Sequence, residues 1–190
     1  IRKYNKLKND PNSTYTKEQF YQDIARIHAK AHDKKEIFKS MIKTFDNYKY
    51  LKNCFIFFSE KEDAREIVQF INTISEIKCK AVLGDEKGMP TQDDTLILEQ
   101  FKNGKLDCLV MCLKLSEGIS INKLENMFMF YADSNNRLTT QRIGRVLRLD
   151  KTNPNKIANV FDFELQRDAD SEYNPDRDRK EWLSSISFND

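Results

Sequence analysis

From residue 53 onward the chain alternates short, continuous apolar runs with longer stretches whose apolar residues recur at helical spacing. The runs are Cys54 to Phe58, Cys79 to Leu83, Leu106 to Cys112, Asn126 to Tyr131 and Ile157 to Phe163, and they predict five strands. Between them, Glu60 to Ile74 and Asp93 to Phe101 read as amphipathic helices. Strands that are apolar throughout, rather than alternating, belong to a sheet buried on both faces, and intervening helices make that sheet parallel. The expected fold class is therefore α/β: a mainly parallel central sheet with helices on both faces. Such sheets take ligands beyond the carboxyl ends of their strands. That rule singles out Ser59 and Glu60, Gly84 and Asp85, Cys112 to Ser120, and Ala132 to Arg137.

The first fifty residues follow a different pattern. Residues 1 to 15 are polar and basic with a turn at Asp10-Pro11-Asn12-Ser13, and Thr16 followed by Glu18 and Gln19 reads as a helix start. Phe20, Ile24 and Ile27 form one apolar stripe, and Ile37, Phe38, Met41, Ile42 and Phe45 form another in a helix expected over Lys34 to Tyr48. Residues 84 to 92 hold two glycines and a proline and are expected to be a mobile surface loop. The segment from Arg167 is expected to be a loop followed by a short helix around Trp182, with that tryptophan a packing anchor. The resulting division is an N-terminal helical extension over 1–50, an α/β domain over 51–165 and a C-terminal tail over 166–190.

Charge changes this picture little. Lys and Arg number 32 against 30 Asp and Glu, so a net charge of +2 gives no general attraction for nucleic acid, and any such site must come from local patterning. Four cysteines, Cys54, Cys79, Cys108 and Cys112, form no C-x-x-C pair and sit in or beside apolar runs, which reads as buried, reduced thiols rather than a zinc site or disulfide framework. His28 and His32 stand four apart with no Glu between them in the H-E-x-x-H manner, and no metal site is expected. No stretch approaches ~18 consecutive apolar residues, so the expectation is a soluble, cytoplasmic protein.

Local patterning is strongest in Gln141-Arg142-Ile143-Gly144-Arg145-Val146-Leu147-Arg148. On a helix, Gln141, Arg145 and Arg148 share one stripe while Ile143, Val146 and Leu147 point the other way. Guanidinium groups suit phosphate because they stay charged and donate in a planar fork, and Gly144 allows a second backbone or a ligand to approach closely.

Taken with Ser59 at the end of the first strand, Phe101 and Gly104, and Cys112-Leu113-Lys114-Leu115-Ser116-Glu117-Gly118-Ile119-Ser120-Ile121, this string resembles the second RecA-like domain of superfamily 2 helicases over residues 53 to 163. The segments correspond to that family's motifs IV, V and VI. The Q-R-x-G-R-x-L-R form is similar to the restriction-subunit and repair branch rather than the DEAD-box branch, whose motif begins with His. The resemblance implies a three-layer RecA-like fold and a parent protein that is an ATP-dependent DNA helicase or translocase, an ATP hydrolase. It implies that Arg145 and Arg148 reach the γ-phosphate of ATP held by a partner domain, a contribution of ~10³ to 10⁵ in rate. By the same resemblance Gln141, Glu117, Gly118 and Ser120 serve the nucleotide side, while Ser59, Cys112 and Lys114 contact nucleic-acid phosphates.

Two positions depart from the family pattern. Cys112 stands where Thr is usual, which leaves only a weak donor, and Ser120-Ile121-Asn122 stands where Asp-x-Pro is frequent. There is no G-x-x-x-x-G-K-[ST], so ATP and Mg²⁺ are expected to be bound mainly by an N-terminal RecA-like domain of the parent chain, preceding Ile1. The competing readings are a non-catalytic nucleic-acid-binding or scaffold domain on the same fold and half of an RNA helicase. A dinucleotide-dependent oxidoreductase fits the sheet but lacks G-x-G-x-x-G after the first strand.

Overall fold

The computed structural model describes residues 32–112, 123–130, 143–144, 153, 155–164 and 175–186, together with Thr16, Gln19 and Asp23. Elements are numbered over these residues: α1 (His32–Thr44), β1 (Cys54–Phe58), α2 (Lys61–Ile74), β2 (Cys79–Val82), α3 (Gln92–Lys102), β3 (Cys108–Cys112), β4 (Asn126–Met129), β5 (Asn159–Asp162) and α4 (Pro175–Ile186). The strands form one five-stranded sheet in the order β2-β3-β1-β4-β5, and every pairing is parallel. β1, β3 and β4 are buried at every position, which explains why their sequences are apolar throughout.

Alternate residues of each strand feed two cores. Cys54, Ile56, Phe58, Val110 and Phe128 face one cluster, with Phe38 and Ile42 of α1 and Ala64, Ile67 and Ile71 of α2. Phe55, Phe57, Leu109, Met111, Met127 and Met129 face the other, with Leu98 and Phe101 of α3 and with Trp182 and Leu183 of α4 packed against it. Helices therefore cover both faces, the three-layer RecA-like arrangement. The first core is the more aromatic: Phe58 stacks on Phe130 with centroids 4.2 Å apart, and Phe128 on Phe161 at 4.5 Å.

Helix α1 belongs to this packed body. Beyond its two core residues, Lys35 Nζ lies 2.7 Å from Asp63 and 2.6 Å from Glu66, and Lys39 Nζ lies 2.7 Å from Glu66, tying α1 to α2. Phe38 and Ile42 thus share a core with β1, β3 and β4. The expected helix over Lys34 to Tyr48 stops at Thr44, and a 3₁₀ stretch, Asp46–Leu51, follows with Asn47 (φ 49°) and Tyr48 (φ 51°) left-handed inside it. Asn tolerates that conformation, whereas for Tyr it costs ~1–2 kcal/mol. Contacts distant in sequence offset that cost: Tyr48 Oη donates to the Ile74 carbonyl at 2.9 Å, and its ring packs against the first core.

The C-terminal helix is held by buried charge. Lys34 Nζ lies 2.8 Å from Asp176, and Arg179 lies 2.8 Å from Asp162 and 3.0 Å from Asp176, with Lys34, Asp176 and Arg179 all buried. Removing one member of such a group leaves another charge uncompensated. Trp182 is half-buried against the second core, the anchoring role expected of it. At the other end of the chain, Thr16 N donates to Gln19 Oε1 and Gln19 N to Thr16 Oγ1, the reciprocal cap that begins a helix. Among the described residues no helix is long and apolar enough to cross a membrane.

Candidate nucleic-acid and nucleotide interface

The carboxyl ends of the strands bring together residues far apart in sequence. Cys112, last in β3, is in register with Phe58, so Ser59 and Cys112 mark adjacent strand ends. Ser59 Oγ is buried and has no hydrogen-bond partner among the described residues. A hydroxyl in that state has lost its water without replacement, a cost of ~1–3 kcal/mol that an incoming acceptor removes. Cys112 is different. It is 6% exposed within the first core, and burial pushes its thiol up to about 11 against the pull of Lys61 and Arg65. It stays a neutral thiol at physiological pH and presents little surface to a ligand.

Lys61, two residues beyond Ser59, reaches the segment after β2. The sequence predicts a polar surface loop there, and in the structure two carboxylates and an ammonium hydrogen-bond its backbone. Asp94 accepts from Leu83 N (3.0 Å), Gly84 N (3.1 Å), Thr91 N (3.0 Å) and Thr91 Oγ1 (2.8 Å). Asp85 accepts from Lys87 N and Met89 N, each at 2.8 Å. Lys61 Nζ, at the start of α2, donates to the carbonyls of Gly84 (2.8 Å) and Asp85 (3.2 Å). Gly84 has φ 69°, and a Cβ there would lie 3.2 Å from the backbone of Gly88 and Met89, so the site requires glycine. Burial of Asp94 pushes its pKa up, but the bonds from Thr91, Leu83 and Gly84 outweigh this and leave the carboxyl below its ordinary range. The Thr91-x-x-Asp94 capping box was a signal in the sequence that reading for chemistry passed over. Nothing local marks Lys61.

On the second face, Ile143 is 6% exposed and packs in the cluster with Phe55, Met111 and Met129. The helical pair Ile143-Gly144 therefore has its apolar side on the core, as the sequence predicts for Ile143. Gly144 is exposed, and among the described residues nothing lies within 4 Å of where its Cβ would be. Gln141, Arg142, Arg145, Arg148, Lys114, Glu117, Gly118 and Ser120 lie outside the described residues.

Comparisons with known proteins agree with the architecture. The C-terminal domain of the DEAD-box protein Dbp5 is 17% identical with a TM-score of 0.60, the match covering 82% of this chain and 81% of that one. The yeast DEAD-box splicing factor Prp28 is 16% identical with a TM-score of 0.56, over 80% of this chain and 30% of that one. The Pyrococcus furiosus Hef helicase domain is 21% identical with a TM-score of 0.50, over 82% and 28%. The chain thus spans less than a third of the Prp28 and Hef chains. No curated protein matches it in sequence. The family described as "Helicase conserved C-terminal domain" matches residues 33–150, well over half of the chain, and the chain belongs to that family.

Proposed function

We propose that this chain is the C-terminal motor domain of an ATP-dependent helicase or translocase and works only against a partner RecA-like domain that binds ATP and Mg²⁺. The observation that carries this reading is the family match over 33–150, which includes the arginine string. A helix continued in register from Ile143, which is seated in the core, turns Gln141, Arg145 and Arg148 to the opposite side, about 140–200° away. From there Arg145 and Arg148 stabilise charge on the transferred phosphoryl group, and Gln141, Glu117, Gly118 and Ser120 line the nucleotide side. Bound ATP and Mg²⁺ supply the phosphoryl group and its charge neutralisation. Ser59 and Lys114 hold nucleic-acid phosphates, with Cys112 marking the strand end between them.

The finer reading is a DNA track and the restriction or repair branch, and it rests on Gln at position 141, where the DEAD-box motif begins with His. The test is ATP turnover by the parent protein with single-stranded DNA or RNA added. Stimulation by DNA alone supports the branch, and stimulation by RNA alone overturns it while leaving the motor assignment intact. Unchanged turnover in Arg145→Ala overturns the motor assignment.

A further inference from the structure

The amino end of the sheet, opposite the interface, carries chemistry that the motor reading does not use. Cys79 on β2 is in register with Cys108 on β3, and Cys108 with Cys54 on β1. The three cysteines are free and buried on the face that also packs Ile67 and Ile71. As register partners buried on one face, their side chains are neighbours across the strands. Neighbouring strands run ~4.8 Å apart, within the ~4.4–6.8 Å between Cα atoms that a disulfide spans. Because the strands lie side by side the three residues form a line. Thiol–disulfide exchange needs that order, with attacking, central and leaving sulfurs in line.

Access is from one side. β2 is the sheet's edge strand, and Cys79 is 3% exposed where Cys54 and Cys108 are fully covered. An open cavity of about 770 Å³ lies beyond this end, lined among others by Lys52, Ile77 and Asp107, each one or two residues ahead of one of the cysteines. Burial pushes the thiols of Cys54 and Cys108 up, and the bond to Cys108, then burial, does so for Cys79. The thiols are therefore held protonated, so oxidation is slow and takes an uncharged oxidant small enough to enter at the edge.

We propose that Cys79, Cys108 and Cys54 form a disulfide relay in which a hydroperoxide oxidises Cys79 at the sheet edge and the resulting bridge passes through Cys108 to Cys54. In the first step the Cys79 sulfur attacks the hydroperoxide, breaking its O–O bond, to give the sulfenic acid and an alcohol (water from hydrogen peroxide). Cys108 then attacks the Cys79 sulfur, forming the S–S bond and releasing water. In the last step Cys54 attacks the Cys108 sulfur and expels Cys79 as a thiolate, which takes up the proton that Cys54 gave up. Two thiols and one hydroperoxide become one disulfide, one alcohol and one water, and Cys79 is restored at the edge. The final bridge joins β1 to β3, the strands that end at Ser59 and Cys112.

The test treats the 190-residue chain with limiting hydrogen peroxide, quenches it by alkylation in denaturant at successive times, and maps bridged peptides by mass spectrometry. A Cys79–Cys108 bridge is expected to appear first and a Cys54–Cys108 bridge to replace it, with Cys79 alkylated in the final product. Cys54→Ser is expected to stop at Cys79–Cys108, and Cys79→Ser to slow bridge formation on the order of ten-fold. Cys79→Ala replaces the serine variant if a hydroxyl in the core prevents folding, and the wild-type time course needs no variant. Oxidation confined to Cys112, a Cys54–Cys108 bridge that forms first, or an unchanged rate without Cys79 would each overturn the relay. None of these outcomes bears on the motor assignment.

Discussion

At the amino end of the sheet one register position runs Cys79, Cys108, Cys54, Asn126, Asn159 across all five strands, and its asparagine amides are hydrogen-bonded within the domain. Asn126 Nδ2 donates to the Lys52 carbonyl at 2.7 Å, and Asn159 Nδ2 donates to Asn126 Oδ1 at 2.9 Å. At the carboxyl end, Ser59 Oγ is buried without a partner, and the segment after β2 is fixed by Asp94 and Lys61 as though its shape mattered to something outside it. Among the described residues, the asparagine amides of the amino end find partners within the domain and the Ser59 hydroxyl does not. The difference is one of completion: the asparagines hold the chain to itself, whereas Ser59 still has an acceptor to gain.

That contrast can be broken at several points. The largest effect is expected at the carboxyl side: Arg148→Ala in the parent ATPase should lower kcat ~10³-fold or more while the domain's melting temperature stays put. Asn126→Ala at the amino end should do the reverse. It strips the Lys52 carbonyl and Asn159 of partners, for ~2 kcal/mol by urea unfolding, with ATP turnover by the remaining folded protein unchanged. Gly84→Ala should cost ~1–2 kcal/mol by the same measurement, from the positive φ together with the backbone contact at 3.2 Å.

The pH response of Asp94 sharpens the comparison further. Its folded pKa is depressed, so the stability it contributes is present above the unfolded value of ~3.9 and is lost as pH falls through the folded one. Asp94→Asn should flatten the acid limb of a stability-versus-pH curve. The smallest loss on folding is expected at Ser59. Ser59→Ala removes an unpartnered hydroxyl and should cost no stability, with a gain of at most the ~1–3 kcal/mol of its burial, yet weaken nucleic-acid binding in a titration. A large loss of stability there would mean that the carboxyl end is as self-contained as the amino end.

Much of the fold was legible because its signal is local. Cys54–Phe58 is a strand in the sequence and in the structure, with every position buried. The rule that ligands gather at strand ends singles out Ser59 and Cys112, and register puts those strand ends side by side. What was illegible depends on pairing across distance. The helix ending at Thr44 is shaped by Tyr48 reaching Ile74, 26 residues away. Cysteines read singly gave no hint of their shared register, which joins Cys54 to Cys108 and Cys108 to Cys79. Asp94 reads as a helix cap, but its hold on Leu83 and Gly84 follows only once β2 and α3 are neighbours. The charged set of Lys34, Asp176 and Arg179, all buried, with half-buried Asp162 unites three elements and has no local signature at all.

The first residue of the edge strand has one further partner. Asn72 on α2 donates its side-chain amide to the Cys79 carbonyl at 3.0 Å and accepts from Cys79 N at 3.1 Å, as a neighbouring strand's backbone would. An unpaired sheet edge is a template on which another chain can add a strand, the usual start of aggregation. With both polar groups of Cys79 taken, a foreign strand cannot pair in register from the start of β2. Asn72→Ala would reopen that edge, and loss of monomer from size-exclusion chromatography at raised concentration, rather than a drop in melting temperature, is where the change would show.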